Sequence, residues 1–407
     1  MRILLTTASS SKQKYKKIYE ERKIPMIDPS QKFFQMLVDG ITAKNNANVI
    51  CLTELPISRK VHDRKIWKME VEYKNEHLVY IYLGFYNKRI IKQLSLIWTT
   101  YKQTRKWLKE FKNDSNKYIV CDPLYFSSAF GSKIASIGKK HKRIAVVTDL
   151  PRMLKKSTKS SNRGFFREKL QRIYNYFCEI DLKSYDGYIF LTKQMNERVN
   201  NSRKPFIVIE GSTEKLKLNN ARLNTNKNEK RIILYAGGIA KKNGLDKLVK
   251  AFHISEIRNS ELHVYGTGPY VEELKNISKS DCRIKYMGVL HSDEIVIKEK
   301  EATLLVNPRP TNEEFTKYSF PSKTLEYMSS GTPVLTTKLA GIPDEYNEYL
   351  YYFQDESVEG MKRDLEKIMR LTDRELIEKG EIAQDFVNKN KSNIVQGEKI
   401  TNFLKQI

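Results

Sequence analysis

Short, nearly continuous apolar runs alternate with longer helical patterns along the whole chain, and this rhythm limits the possible folds more than any other feature. RILLTT (2–7), NVICLT (48–53), HLVYIYL (77–83), KYIVC (117–121), RIAVVTD (143–149), GYIFLT (187–192) and FIVIEG (206–211) read as buried strands. Helical patterns occupy 31–44, 88–111, 126–139, 163–183 and 193–200 between them. Alternation of this kind predicts βαβ units around a parallel sheet. Residues 212–229 break the rhythm with Asn, Thr and Lys and read as a linker. A second alternation follows, with strands at 231–238, 261–268, 283–288, 302–308, 332–337 and 349–353. Helices are expected at 244–257, 269–278, 291–300, 321–330 and 356–371, and two more between 374 and 407. The expectation is two doubly wound α/β domains with a site in the cleft between them, on the strand-to-helix loops. The expected bounds are 1–215, a linker at 216–229, a second domain at 230–385, and a C-terminal helix at 386–407 packing back on the first.

Composition enters where it excludes. At 407 residues each domain has enough chain for its own core. No run approaches the roughly 20 apolar residues that span a bilayer. The opening MRILLTTASSSK turns polar too early for a signal peptide. Cys51, Cys121, Cys178 and Cys282 form no CxxC and suit buried thiols in a reducing, cytoplasmic compartment.

The charge is divided unevenly. Residues 1–220 hold 44 Lys and Arg against 20 Asp and Glu, whereas 221–407 hold 29 against 28. Almost all of the +25 net charge therefore lies in the first half, which points to a basic surface facing membrane phospholipid, a phosphorylated lipid or nucleic acid. No nucleic-acid-binding signature accompanies it, so no nucleic-acid partner is expected.

The most informative segment is 307–337, NPRPTNEEFTKYSFPSKTLEYMSSGTPVLTT. It reads as strand, loop, short helix, strand, with Pro321 in the first turn, Ser319 or Ser322 as a cap and Gly331 as the stop. A helix entrance of this kind presents backbone N–H groups and a positive dipole end to phosphate, and Lys323 would add a full charge. Glu326, one turn on, could accept hydrogen bonds from ribose hydroxyls. The plainer alternative is an ordinary capped surface helix with a solvated Lys and Glu.

Leu325-Glu326-Tyr327-Met328, Ser330-Gly331-Thr332-Pro333-Val334 and Ala340-Gly341-Ile342-Pro343 resemble the nucleotide-sugar-binding element of family 4 glycosyltransferases, a retaining class of the GT-B fold. Tyr235-Ala236-Gly237 with Gly244-Leu245-Asp246, Val264-Tyr265-Gly266-Thr267-Gly268-Pro269 and Tyr286-Met287-Gly288 are similar to three further elements of that family, in order. The resemblance implies two Rossmann-like domains, an acceptor- and membrane-facing one followed by a nucleotide-sugar-binding one. It implies transfer of a hexose from a nucleotide-sugar, most readily a UDP-sugar, to a lipid-linked or growing surface polysaccharide of the bacterial type, without metal or cofactor.

The resemblance assigns Gly237, Gly238, Lys241, Gly266, Gly268, Met287, Tyr318, Ser319, Phe320, Pro321 and Ser322 to donor binding. Lys323 and Glu326 become catalytic, and Asp149, beside Thr148, becomes a candidate for positioning the acceptor. Many family members carry an Arg after the first-strand Gly, a Lys before the later Gly, and a Glu eight residues before Glu326. Gly238, Asn243 and Tyr318 stand in those places here. The Ser319-Phe320-Pro321-Ser322-Lys323 loop matches a version found in some polysaccharide-building members, so Lys323, the loop amides and Lys241 or Lys242 are expected to hold the pyrophosphate. The departures also keep open a catalytically weakened partner or chaperone subunit and a nucleotide-sugar epimerase of the same fold. Gly266-Thr267-Gly268 is no dinucleotide fingerprint, because the third Gly would fall at Val271.

In the basic half, 85–112 interleaves Lys and Arg with Phe85, Trp98, Tyr101, Trp107 and Phe111. Leu94, Trp98 and Tyr101 recur at helical spacing; the default expectation is a helix packed through its apolar face with a solvated basic back, and the alternative is an amphipathic helix lying on an anionic membrane. The 152–172 segment places Lys155, Lys156, Lys159 and Arg163 beside Phe165 and Phe166 on a Ser/Gly loop, which favours contact with an anionic lipid surface or a lipid-linked diphosphate. The expected location is cytoplasmic, peripheral on the inner face of the plasma membrane.

Overall fold

The computed structural model describes residues 1–21, 29–44, 47–150, 165–214 and 230–407. They form two compact units: Met1–Ser212 together with Asn393–Ile407, and Thr213–Ser392. The linker expected at 216–229 lies outside the described residues, as does the loop carrying Lys155, Lys156, Lys159 and Arg163.

The first unit runs β1 (Arg2–Thr7), α1 (Lys12–Glu20), α2 (Pro29–Thr42), β2 (Asn48–Thr53), β3 (Ile66–Trp67), β4 (Glu70–Asn75), β5 (Leu78–Tyr82), β6 (Phe85–Tyr86), α3 (Arg89–Glu110), β7 (Lys117–Cys121), α4 (Phe126–Ser136), β8 (Lys142–Val147), α5 (Phe165–Leu182), β9 (Gly187–Phe190), α6 (Lys193–Val199) and β10 (Phe206–Val208). Its eight-stranded sheet has the order β10-β9-β8-β7-β1-β2-β5-β4. Every pairing is parallel except that of β4 with β5. β4 was not expected: EVEYKN alternates polar and apolar as a solvated edge strand does, and only an antiparallel neighbour can be reached by a two-residue turn.

The second unit runs β11 (Arg231–Gly238), α7 (Leu245–His253), β12 (Ser260–Thr267), α8 (Val271–Ser280), β13 (Ile284–Gly288), α9 (Ser292–Glu301), β14 (Leu304–Asn307), α10 (Ser322–Ser330), β15 (Val334–Thr337), β16 (Tyr351–Phe353), α11 (Val358–Met369) and α12 (Asp373–Asn390). Its six strands are all parallel, in the order β13-β12-β11-β14-β15-β16. Alternate residues of β11 feed opposite faces. Ile233 and Tyr235 join a core with Leu248, Phe252, Leu365 and Ile368, while Leu234 and Ala236 join one with Leu325, Met328, Phe386 and Val387. The period-2 side-chain alternation thus covers both faces of the sheet with helices, which is what makes the unit doubly wound.

The chain then returns to the first unit as α13 (Asn393–Gln406), against α2. Gly40 and Gly397 meet backbone to backbone there, and a Cβ on Gly40 would sit 1.9 Å from the Asn393 carbonyl oxygen. Only glycine allows so close an approach.

The inward face of α3 departs from the sequence expectation. Its buried residues are Leu96, Thr100, Thr104, Trp107 and Leu108, whereas Leu94 and Trp98 point to solvent. Four-residue spacing marks a face, and here the more aromatic face is the outer one. Among the described residues no helix is long and apolar enough to cross a membrane.

Candidate functional site

In each sheet the strand order reverses at one place, between β1 and β7 in the first unit and between β11 and β14 in the second. The crevice beyond the carboxyl ends of such strands is where open α/β sheets take ligands. In the second unit three segments meet there: Gly237–Gly238 ending β11, the 266–268 turn after β12, and the loop from β14 to α10.

The 266–268 turn lies so close to β11 that a Cβ on Gly266 would stand 1.9 Å from the Gly237 carbonyl oxygen, at φ +131°. Tyr286 donates from its hydroxyl to Gly266 O at 3.1 Å, and Asn243 donates through Nδ2 to Gly238 O at 2.7 Å. Met287 is exposed near the end of β13.

α10 is anchored at two points over this crevice. Asn307, ending β14, donates through Nδ2 to Thr324 Oγ1 in the first turn at 3.3 Å. One turn further, the buried Tyr327 hydroxyl accepts from Ala236 N at 2.9 Å and donates to Ala236 O at 3.1 Å, fastening the helix to β11. The helix entrance differs from the expectation in its cap. Pro321 occupies the N-cap position and no side chain caps the first turn; the Ser319 hydroxyl is buried without a hydrogen-bond partner. The first-turn amides are therefore without a side-chain acceptor, as an anion site requires.

Lys323 and Glu326 come together, with Nζ 3.1 Å from Oε2. Nζ is also 3.9 Å from Oε1 of Glu299, a fully buried carboxylate at the end of α9. One ammonium thus lies between two carboxylates, which offset its charge. Lys241 is likewise engaged, 2.7 Å from Glu273. Tyr318 is half-buried at the end of a short 3-10 turn (Glu314–Tyr318). Ser322 is exposed, but Phe320 is committed to the core, 5.5 Å from the Tyr346 ring, which leaves its backbone alone at the loop. Asp149 is exposed beyond the end of β8 in the first unit. Phe165 and Phe166 open α5.

Two groups went unnoticed in the sequence. Arg309, two residues beyond β14, stacks its guanidinium over Phe315 at 4.7 Å. It also acts on Tyr235 of β11, whose phenol burial pushes up to about 12 against the opposing pull of the Arg309 charge. An Arg directly after a strand at the switch point (Asn307-Pro308-Arg309) is the signal that could have found it. In the first unit, Glu54 lies buried just beyond β2. It accepts from Ser128 Oγ at 3.0 Å and sits 3.9 Å from Nζ of Lys92, which itself donates to Ile57 O at 2.8 Å. Burial pushes the Glu54 carboxyl up and the Lys92 ammonium down, each partly offset by the other. Among the described residues no group of three or more His, Cys, Asp and Glu is placed to hold a metal ion.

Two doubly wound units, each with one switch point, define the GT-B fold. Residues 230–370 match the family described as Glycosyl transferases group 1. Solved structures agree over the whole length. Sucrose-phosphate synthase from Thermosynechococcus elongatus gives a TM-score of 0.66 at 13% identity, covering 100% of this chain and 99% of its own. HepE of Anabaena, in complex with UDP, gives 0.64 at 12% identity, covering all of both chains. The E. coli trehalose-6-phosphate protein bound with UDP-2-fluoro glucose gives 0.65 at 10% identity, covering 100% and 99%. Identities this low establish the shared fold alone. No curated protein sequence matches the chain.

Proposed function

We propose that this glycosyltransferase moves a hexose from a UDP-sugar to a lipid-linked or growing surface glycan, with retention at the anomeric carbon. The observation that carries the reading is the α10 entrance: uncapped amides at the β11/β14 switch point, with Glu326 held by Lys323 and Arg309 on the same loop. The UDP and UDP-sugar complexes of HepE and the trehalose-6-phosphate protein support uridine as the base. The likeness to a lipopolysaccharide outer core galactosyltransferase, WaaB, supports a surface glycan acceptor. Retention follows the family 4 resemblance.

As the sugar–oxygen bond lengthens, negative charge grows on the departing diphosphate. Amides and cations preset around that position stabilise the transition state without reorganising. The α10 amides and Arg309 take that part. Glu326, its orientation set by Lys323, is left to accept from the ribose hydroxyls. Asp149 is assigned to positioning the acceptor. Tyr318, where the family's other Glu would fall, offers the sugar a phenol in place of a carboxylate.

The test is a thermal-shift and calorimetric screen of UDP-, GDP- and dTDP-sugars, followed by sugar transfer assays. A ligand present at a hundred times its dissociation constant stabilises the native state by about 2.7 kcal/mol. UDP-sugar binding that is lost in Arg309→Ala and Glu326→Ala supports the reading. Binding without turnover would select the weakened-partner alternative, sugar isomerisation without an acceptor would select the epimerase, and no nucleotide binding would refute the assignment.

A further inference from the structure

We propose that the outward face of α3 is a membrane-docking surface that rests on an anionic phospholipid bilayer. A helix on an α/β sheet buries one stripe and solvates the other. In α3 the stripe opposite buried Leu96 carries Ile90, Leu94 and Trp98, which are 72%, 61% and 55% exposed, with Ile91 beside them. At about 100° per residue, 94 and 98 lie almost diametrically across from 96.

The apolar area continues beyond the helix. Tyr86 is exposed, and its amide donates to Ser95 Oγ at 3.4 Å; Met69 is exposed, and its sulfur accepts from Gln103 Nε2 at 3.2 Å. Contiguous apolar patches of this kind mark interaction sites on soluble folds.

Charge selects the occupant. From Arg89 to Glu110 the helix holds Arg89, Lys92, Lys102, Arg105, Lys106 and Lys109 against a single acid, Glu110. Lys92 turns inward to Ile57, and Lys88, Lys102, Lys106 and Lys109 are exposed. Trp98 stacks on Tyr101 at 5.7 Å and carries the Lys102 ammonium over its ring at 4.7 Å. An aromatic ring under a cation suits the depth where acyl chains meet anionic head groups. A second copy of this chain would bring like charge against like charge. This inference does not depend on the donor-site reading.

Trp67 and Trp107 are each 4% exposed, so a change in tryptophan emission on adding vesicles reports on Trp98. The full chain is titrated with phosphatidylglycerol/phosphatidylcholine vesicles and with phosphatidylcholine alone, by sedimentation and by emission. Capture by the anionic vesicles with a blue shift is expected. Ile90→Asp/Leu94→Asp should weaken capture by at least about tenfold. Lys102→Ala and Lys106→Ala should each weaken it by about fivefold at low salt. Val289→Asp, at an exposed apolar position of the second unit, should leave capture unchanged. Ile90→Gln/Leu94→Gln repeats the test without added charge, and melting curves verify that the variants fold. Equal affinity for both vesicle types, unchanged capture by both double variants, or a blue shift that follows protein concentration without vesicles would overturn the proposal. The last would make the face an interface between copies. UDP affinity, measured on the same samples, should not change in the α3 variants; its absence from the unaltered protein would count against the donor site alone.

Discussion

The two units wind their chains alike and differ in what their surfaces carry. In the second, charge is balanced and the functional groups crowd into short strand-to-helix turns, where backbone approach and helix entrances restrict which residues fit. In the first, a buried ionic pair, Glu54 with Lys92, lies just beyond β2, and the excess positive charge is spread over the outside. The contrast teaches that a site built on backbone geometry leaves a motif in sequence, whereas a site built on a surface leaves only composition.

The sharpest way to break the contrast is to unbalance the buried pair. Lys92→Met leaves the Glu54 carboxyl in a dry pocket, and removing one partner of a buried ion pair costs about 3–5 kcal/mol. Glu54 already has a raised folded pKa, and without Lys92 it rises further. A raised carboxyl contributes stability below its unfolded value near 4.5 and loses it as pH climbs, so the variant should be least impaired in acid. Denaturant melts from pH 4 to 8 check this, and a penalty independent of pH would show that Glu54 does not titrate there.

Next in size is the proposed donor site. Arg309→Ala should lower kcat for nucleotide release by about 10²–10³-fold, as loss of a group that stabilises developing charge does. Lys323→Ala should cost less, because Lys323 is shared between Glu326 and Glu299. If Lys323→Ala proved the more damaging, the roles of the two cations would be reversed.

Tyr327→Phe removes the hydroxyl that serves both Ala236 backbone groups and should destabilise the second unit by about 1–3 kcal/mol. A melting temperature unchanged from the parent would mean α10 is fastened elsewhere.

The smallest effect concerns acid. Asp281 is held at about 2 by its hydrogen bonds from Arg283, with a further one from His253. A lowered carboxyl gives stability above its unfolded value near 3.8 and loses it as pH falls toward 2. Asp281→Asn should therefore lower stability at neutral pH by about 1–2 kcal/mol and flatten the acid limb between pH 4 and 2. A limb that keeps its slope would place the titrating group in the first unit.

Much of the fold was legible in advance, and particular residues show why. RIILYAGG could be placed because a strand buried on both faces has to be apolar throughout, and α10 because Gly331 allows a helix to stop. EVEYKN was missed because a short, solvated edge strand rich in charged and polar residues has the composition of a loop. The outward turn of Leu94 and Trp98 was missed because the four-residue spacing of apolar groups marks a face without saying which way it points. Arg309 was passed over because a lone cation in a Pro-flanked loop has no local pattern; only its place beside β11 distinguishes it.

The order of apolar runs and turn residues was enough to determine two doubly wound α/β units, since hydrophobic periodicity and glycine geometry are local constraints. Which charges offset one another, which face of α3 meets water, and that an uncapped helix entrance lies at a switch point were decided by tertiary structure. Burial and electrostatic pairing depend on residues far apart in the chain, as Glu299 and Lys323 or Glu54 and Lys92 are, and no local pattern encodes such distances.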